Sequence, residues 1–405
     1  MLGLASAVST ASIHEQRYSL SLDGAGDYLI VRNGFNRASR TFSAWFNSAQ
    51  NTVTQSYGNV ILSQTTSGGD NRWHARIDPA TNLVKIYNGA SVTVDSDAGT
   101  TISLNSWYHL IVTEDGSTVN YYINGELEGS DNVAIGTGDS DLFTVGQEFD
   151  GSSSSDHFKG LIGDVAAWGV VLDEAAALDV YNAGSPFDLN TDRGTYDNAS
   201  DLIGYWKMGY GSFDDKAHGV VHDQTNPGFG AELIVNADFS DYEAENQERL
   251  IGGIQFNDWG ESPGSGTAIF TSIPNGFRRT ALSPSTSVWH QRINQNLHAT
   301  LVIGGIYKFS VNYLTSDGTT IRLAIQTPGS QSLQSGGSLT TTANVMHTFT
   351  GYFVCDTVTD IDIDIFPNTN MEVDAFFEIS NITLRKLNSN PGLTAADATF
   401  TAYIR

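Results

Sequence analysis

The chain reads as an all-β protein made of two tandem antiparallel β-sandwich, or jelly-roll, domains with one short helix after the first sandwich. Three observations predict this. Only 16% of the 405 residues are charged, 40% are hydrophobic and 41 are glycine, a balance that suits short strands and frequent turns better than helical bundles. Apolar residues alternate at period two along most of the chain, with Gly, Asn, Asp and Ser clusters between the runs. One stretch, LDEAAALDVYNAG, carries helix signals. At roughly 100 to 200 residues per domain the length predicts two or three domains, each able to bury a core without disulfide staples.

Residues 1–16, MLGLASAVSTASIHEQ, begin weakly apolar but carry no positive n-region and no h-region. They read as an assembly arm rather than a secretory signal. From Tyr18 to Trp168 short strands follow one another as in a sandwich. In TFSAWFN, Phe42, Ala44 and Phe46 share one face, and Ser43 and Trp45 the other. In WYHLIVT, Tyr108, Leu110 and Val112 alternate with Trp107, His109 and Ile111, which predicts a central strand buried on both faces. Asn124-Gly125 in VNYYINGEL tolerates the positive φ angles of a type I′ hairpin turn. In LDEAAALDVYNAG, Asp173 can cap the helix N-terminus, the alanines favour its interior and Gly184 follows its end.

Residues from Ser185 to Gly230 read as irregular, apart from the strand-like LIGYWKM. A second β region alternates more cleanly: Tyr307, Phe309, Val311 and Tyr313; then Ile321, Leu323 and Ile325; then Ile361, Ile363 and Ile365 between Asp360, Asp362 and Asp364. That alternation predicts one buried and one solvated face. Phe377 and Ile379 fall out of phase with Ile382 and Leu384, so a β-bulge is expected around Ser380 and Asn381. NSNPGLTAADATFTAYIR ends the chain as a tail whose strand, Thr399 to Ile404, needs a sheet edge, on a neighbouring subunit by this expectation. The boundaries that follow are 1–16 arm, 17–210 first sandwich, 211–230 linker, 231–387 second jelly roll and 388–405 tail.

With 20 Lys and Arg against 45 Asp and Glu, the formal charge is −25. Attraction to phosphate backbones is thereby opposed, and nucleic acid is excluded as a partner class. The longest apolar runs fall short of a membrane span. The single cysteine, Cys355, follows Tyr352, Phe353 and Val354, so a buried inert thiol in a strand and folding in a reducing cytoplasm are expected.

Catalytic patterns are scarce. The chain has no G-x-S-x-G elbow, no H-E-x-x-H and no phosphate-cradling Gly loop with Lys. Glycoside hydrolysis needs two carboxylates about 5 to 9 Å apart across a cleft, and no strand of the first domain presents such a cluster. Asp360, Asp362 and Asp364 share a face, but their Ile neighbours and the lack of aromatics make a solvated sheet face the expectation. Gly219, Val220 and Val221 place His218 and His222 in strand or loop rather than on the helix that zinc spacing requires. Trp107 and His109 are expected in the core. Trp73 beside Asp70 and Asn71, and Trp259 beside Asn257 and Asp258, combine an aromatic platform with hydroxyl-binding groups, as a carbohydrate site requires.

SLSLDGAGDYLIV at 19–31, TFSAWFN at 41–47, SWYHLIVTEDGSTVNYYINGE at 106–126 and FKGLIGDVAAWGVVLDEAAALDVYN at 158–182 together resemble the laminin-G-like, concanavalin A-type jelly roll of lectins and pentraxins. ELIVNADFSD at 232–241, FNDWG with Trp259, VWHQRINQNL at 288–297 and VDAFFEISNITLRKL at 373–387 resemble the galactose-binding-like jelly roll of carbohydrate-binding modules. MLGLASAV and the LIGYWKMGYG to VVHDQTN segment look like modular lectin-like structural proteins of tailed, especially marine, phages.

The first resemblance implies calcium on rim loops, where Asp23 and Asp27 of LDGAGDY and Asp164 would supply oxygen ligands. Relatives commonly show an acidic pair where this chain has Gly163 before Asp164, so one ligand is missing. In the second domain the resemblance implies Asp238 and Glu378 for a structural ion. The function these resemblances imply is that of a noncatalytic virion surface protein: a capsid decoration, head fibre or tail-fibre component, assembled in the host cytoplasm. It would form a homo-oligomer, contact other virion proteins through its termini and bind cell-surface glycans. The alternatives are a bacterial lectin or adhesin, and a polysaccharide-degrading enzyme with a binding module.

Overall fold

The computed structural model describes residues 17–50, 59–65, 71–89, 91–94, 99–135, 142–151, 153–235, 237–240, 248–249, 259–261, 268–285, 287–296, 301–326, 334–355, 362–395 and 398–403. The expected arm at 1–16 lies outside them, as do Asp70, Asn257 and Asp360. The chain is nearly all β, as its composition predicts, and divides into two compact units. One comprises the described residues up to Gly228 together with those from Asn388 onward; the other is Phe229–Leu387. The second unit is therefore an insertion between strands of the first.

In the first unit one sheet runs in the order Glu126–Asp131, Val119–Ile123, Trp107–Glu114, Arg40–Ser48, Lys159–Trp168, Arg17–Asp23, Thr399–Tyr403, with Leu202–Trp206 also pairing to Lys159–Trp168. The facing sheet runs Val220–Val221, Gly392–Ala395, Tyr28–Val31, Leu142–Val145, Val60–Thr65, Asn71–Ile77, Val84–Asn88, Ser91–Val94. Every pairing is antiparallel. Phe42, Phe46, Leu110 and Val112 of one sheet meet Trp73, Ile86, Phe143 and Val145 of the other in one hydrophobic core.

The period-two pattern of WYHLIVT is explained by a second cluster on the outer side of the first sheet. Ile111, Tyr122, Ala166 and Trp168 are covered there by Leu172, Ala177 and Val180 of the helical segment. The helix Glu174–Tyr181 is capped as its sequence predicts, Asp173 accepting the Ala176 amide at 2.8 Å. It ends on Asn182 in the left-handed region, ahead of Gly184. Asn124 and Gly125, at φ 54° and 82°, make the expected hairpin turn. A Cβ on Gly125 would lie 2.9 Å from Leu178 Cδ1, so the turn also needs glycine to fit under the helix.

The C-terminal residues differ from expectation. Thr399–Tyr403 pairs with Arg17–Asp23 of the same chain, and Gly392–Ala395 lies between Tyr28–Val31 and Val220–Val221. The expected tail instead closes both sheets of the first sandwich, because the open edges lie within its own chain. The expected linker also belongs to this unit: Val220 and Val221 are buried strand residues, and His222 and Asp223 are fully buried. Asp223 accepts amides from Tyr205, Thr225 and Asn390 at 3.0, 3.0 and 3.2 Å. The helix is thus followed by further strands of its sandwich.

The second unit packs a seven-stranded sheet centred on Ile306–Thr315 and Phe376–Leu387 against a five-stranded one centred on Asp362–Pro367. Tyr307, Phe309, Val311 and Tyr313 face the core as their alternation predicts. The bulge is present: Ser310 pairs with Thr383 but Asn312 with Ser380, and Asn381 stands at φ 49°. Cys355 is buried. The solvated carboxylate face is corrected, since Asp364 is fully buried with Arg292 Nη1 3.3 Å away.

Candidate polar site on the first sandwich

The strand NRWHARI places Trp73, Ala75 and Ile77 in the core, so His74 and Arg76 point to the opposite, outer face of their sheet. Register carries the same face across neighbouring strands: Thr144 stands beside Ser63, Ser63 beside His74, and His74 beside Tyr87. Ser63 and Thr144 share a hydroxyl hydrogen bond at 2.7 Å, and the Thr144 hydroxyl donates to the Gln147 carbonyl at 2.9 Å. The hairpin Glu148–Asp150/Ser153–Ser155 returns here, with Phe149 edge-on to Tyr28, 6.1 Å between ring centroids.

Around this floor the charged groups are ordered by one another. Arg76 Nη1 donates to Asp156 Oδ2 at 3.2 Å, while its guanidinium lies 4.1 Å above the Tyr87 ring. Tyr87 also stacks with His74, 4.7 Å between centroids. The Tyr87 hydroxyl donates to Asp78 Oδ2 at 3.3 Å, and Lys85 Nζ stands 3.8 Å from the same oxygen. Ser155 donates to Glu148 Oε1 at 3.0 Å.

Several buried atoms of this corner have no hydrogen-bond partner among the described residues: both ring nitrogens of His74, Nε of Arg76, the side-chain amide of Gln147, Oε2 of Glu148, Nε2 of His157 and Oδ1 of Asn59. Backbone bonds tie the last two residues to the same corner, the Asn59 amide donating to the His157 carbonyl at 3.4 Å and Val60 to that of Asp156 at 3.1 Å. Orphaned buried polar groups cost roughly 1–3 kcal/mol each, so these atoms call for polar partners beyond those the described residues supply. Burial, with Arg76 adding to it, pushes His74 down to about 3, so it is neutral at ordinary pH. Burial pushes Glu148 up to about 7, the Ser155 hydroxyl opposing and the charges of Asp150 and Asp156 adding to the rise.

The candidate residues named from sequence are placed elsewhere. Trp73 is fully buried, 5.0 Å from the Phe42 ring, with Nε1 donating to Gln64 Oε1 at 3.4 Å. Trp259 is buried against Phe239 at 4.9 Å. Neither indole has a free face, so neither serves as a sugar platform; the side chain of Asn71 lies outside the described set. Trp107 is half-buried, whereas His109 is buried and stacks on Trp45 at 4.5 Å.

Of the implied calcium ligands, Asp23 and Asp27 share a turn and Asp164 lies apart from it. Asp23 accepts the Ala25 amide at 2.7 Å and Asp27 accepts that of Asp23 at 3.2 Å, closing their own turn. Asp23 pairs with Lys159, five residues along the strand from Asp164, roughly 17 Å at strand rise. Asp164 accepts the Tyr210 hydroxyl. Asp238 bonds Ser240, and Glu378 accepts Arg278 Nε at 2.7 Å. Asp164 is thus separated from the turn that Asp23 and Asp27 share, and among the described residues no three His, Cys, Asp or Glu side chains gather as metal ligands.

Comparison with known proteins bears on the fold. Residues 23–176 match the family model Laminin_G_3, described as the concanavalin A-like lectin/glucanases superfamily. None of the curated proteins compared with the chain matches it. Among solved structures, a Bacteroides ovatus protein provisionally described as carbohydrate binding is 18% identical, with 52% of this chain and 56% of that one covered and a TM-score of 0.38. The chain thus spans little more than half that protein's length. A SAP-like pentraxin from Limulus polyphemus is 17% identical over 47% of this chain and 90% of its own, TM-score 0.33. Domain 4 of an extracellular arabinanase from Geobacillus stearothermophilus, solved with arabinotriose, is 19% identical over 40% and 76%, TM-score 0.32.

Proposed function

We propose, from the premise that residues 23–176 form a concanavalin A-like lectin-type jelly roll, that the first sandwich is a noncatalytic glycan-binding module. Its ligand sits on the outer face beneath the Glu148–Ser155 hairpin. The observation that carries this is the mixture of donors and acceptors left over at His74, Arg76, Gln147 and Glu148. A sugar hydroxyl donates and accepts at once, so it matches such a set. A hard cation would call for oxygen ligands alone.

The chain's place is the virion surface of a tailed phage, after assembly in the host cytoplasm. That part rests on the sequence resemblance of the N-terminal segment and of LIGYWKMGYG to VVHDQTN. Contacts with other virion proteins, and self-association, fall to residues 1–16, because the C-terminal strands are used inside the first sandwich. Mass spectrometry of purified virions tests the placement; absence of the chain from particles overturns it.

A second reading, polysaccharide hydrolysis, is favoured by one feature. Glu148, held near pH 7 beside Asp150 and Asp156, has the protonation behaviour of a general acid. An immobilised glycan panel run with a reducing-sugar assay separates the two. Retention without release is expected of the wild type; release that Glu148→Gln abolishes would establish the enzyme instead.

A further inference from the structure

The strand Tyr28–Val31 leads into Arg32-Asn33-Gly34-Phe35-Asn36-Arg37. Phe35 stands at φ 49° and sends its ring into the core, edge-on to Phe42, Phe143 and Trp206. This anchor fixes the residues around it. Asn33 Nδ2 donates to Asn390 Oδ1 at 3.0 Å, Asn33 Oδ1 accepts the Phe35 amide at 3.0 Å, and Asn390 Nδ2 donates to the Ile203 carbonyl at 3.2 Å. Asn33, Asn36, Arg37, Ile203, Ser389 and Asn390 thereby border a cleft of about 500 Å³ within the first unit. That volume lies in the range of small-molecule sites, about 300–1,000 Å³.

Arg37 is exposed and has no carboxylate partner among the described residues. Its guanidinium lies against Gly169, where a Cβ would come within 3.3 Å of Nη1. In a chain with 45 acidic and 20 basic residues, an arginine laid over a glycine at a polar cleft and left unpaired is placed for an external acid.

We propose that this cleft binds a saccharide carrying a single carboxylate, of the hexuronate class. The guanidinium takes the carboxylate in a two-point contact. The Asn amides and the Ser389 hydroxyl exchange hydrogen bonds with ring hydroxyls, and Ile203 offers an apolar wall to the sugar C–H face. A net charge of −25 disfavours polyanions such as nucleic acid, so one carboxylate suits the cleft better than many. The site is distinct from the His74–Glu148 face and stands without it.

Calorimetric titration of the full chain with a glucuronate-terminated disaccharide, its neutral glucose counterpart and inorganic phosphate tests this. The acidic disaccharide is expected to bind about tenfold more tightly than the neutral one, the scale of a charge-assisted contact. Arg37→Gln removes that difference at unchanged melting temperature, Gly169→Ala reduces it by displacing the guanidinium, and His74→Phe leaves it intact. Equal affinity for the two sugars, no binding of either, or a preference that survives Arg37→Gln overturns the proposal. Phosphate bound as tightly as the acidic disaccharide overturns it too, because the cleft would then recognise charge without sugar.

Discussion

Val31 and Gly392 are register partners across an antiparallel ladder, and all of Phe229–Leu387 lies between them in sequence. The chain leaves the first sandwich at Gly228 and rejoins it at Asn388, whose amide donates to the Gly228 carbonyl at 3.1 Å.

A chain ending at Leu387 therefore exposes the ladder edges of Arg17–Asp23 and Tyr28–Val31 together. It is expected to be insoluble or to lose its cooperative unfolding transition. Replacing Phe229–Leu387 by a short Gly/Ser loop instead keeps the first sandwich folded, since Gly228 and Asn388 already meet. Circular dichroism melts of both truncations check this; a stable Leu387-terminated chain would contradict it.

Arg40 is fully buried, with Nε 2.7 Å from Glu114 Oε2, Nη1 donating to Gln64 Oε1 at 3.1 Å and Nη2 to the Ile135 carbonyl at 3.1 Å. Removing one member of such a pair strands the other charge. Arg40→Met is expected to cost about 3–5 kcal/mol, while replacing both Arg40 and Glu114 by apolar residues costs less. Denaturant unfolding of the two singles and the double decides it.

Glu148 and Asp214 give the fold a pH dependence of defined sign. Burial raises Glu148 to about 7 and Asp214 to about 6, above the ordinary carboxylate values they keep when unfolded. Between those limits the folded form holds protons that the unfolded form has lost, so their contribution is full at acid pH and fades as pH rises through about 6 and 7. Glu148→Gln keeps the Ser155 contact without the charge. Its melting-temperature gain over wild type is expected to grow from pH 4 to pH 7.5 and then level off; a gain independent of pH would contradict the buried-acid account.

Gly125→Ala tests how the hairpin meets the helix. The substitution forces an L side chain to φ 82° and drives its Cβ against Leu178. A loss of more than about 1 kcal/mol in urea unfolding is expected, with a smaller loss if Leu178→Ala is made as well.

Much of this was legible in the residues. Asn124-Gly125, the Asp173 cap and the phase slip between Ile379 and Ile382 each have a local cause, and each is found where the local cause puts it. The C-terminal strands were not legible as partners of Arg17–Asp23 and Tyr28–Val31, because a strand sequence states that it needs an edge but not which edge. Asp364 was misread because alternation cannot distinguish water from a covering Arg292. At the site, an aromatic beside polar residues points to a platform at Trp73, but its indole is buried in the core. The same alternation, with Trp73, Ala75 and Ile77 inward, would have exposed His74 and Arg76 as a polar pair on the outer face.

Titration of the best-retained panel glycan into wild type and His74→Phe tests the central claim most directly. Phenylalanine keeps the stack on Tyr87 and deletes two ring nitrogens that have no hydrogen-bond partner among the described residues. A melting temperature equal or higher, with glycan affinity lowered at least about tenfold, is the predicted result. Unchanged affinity in the variant would contradict the outer face as the binding site.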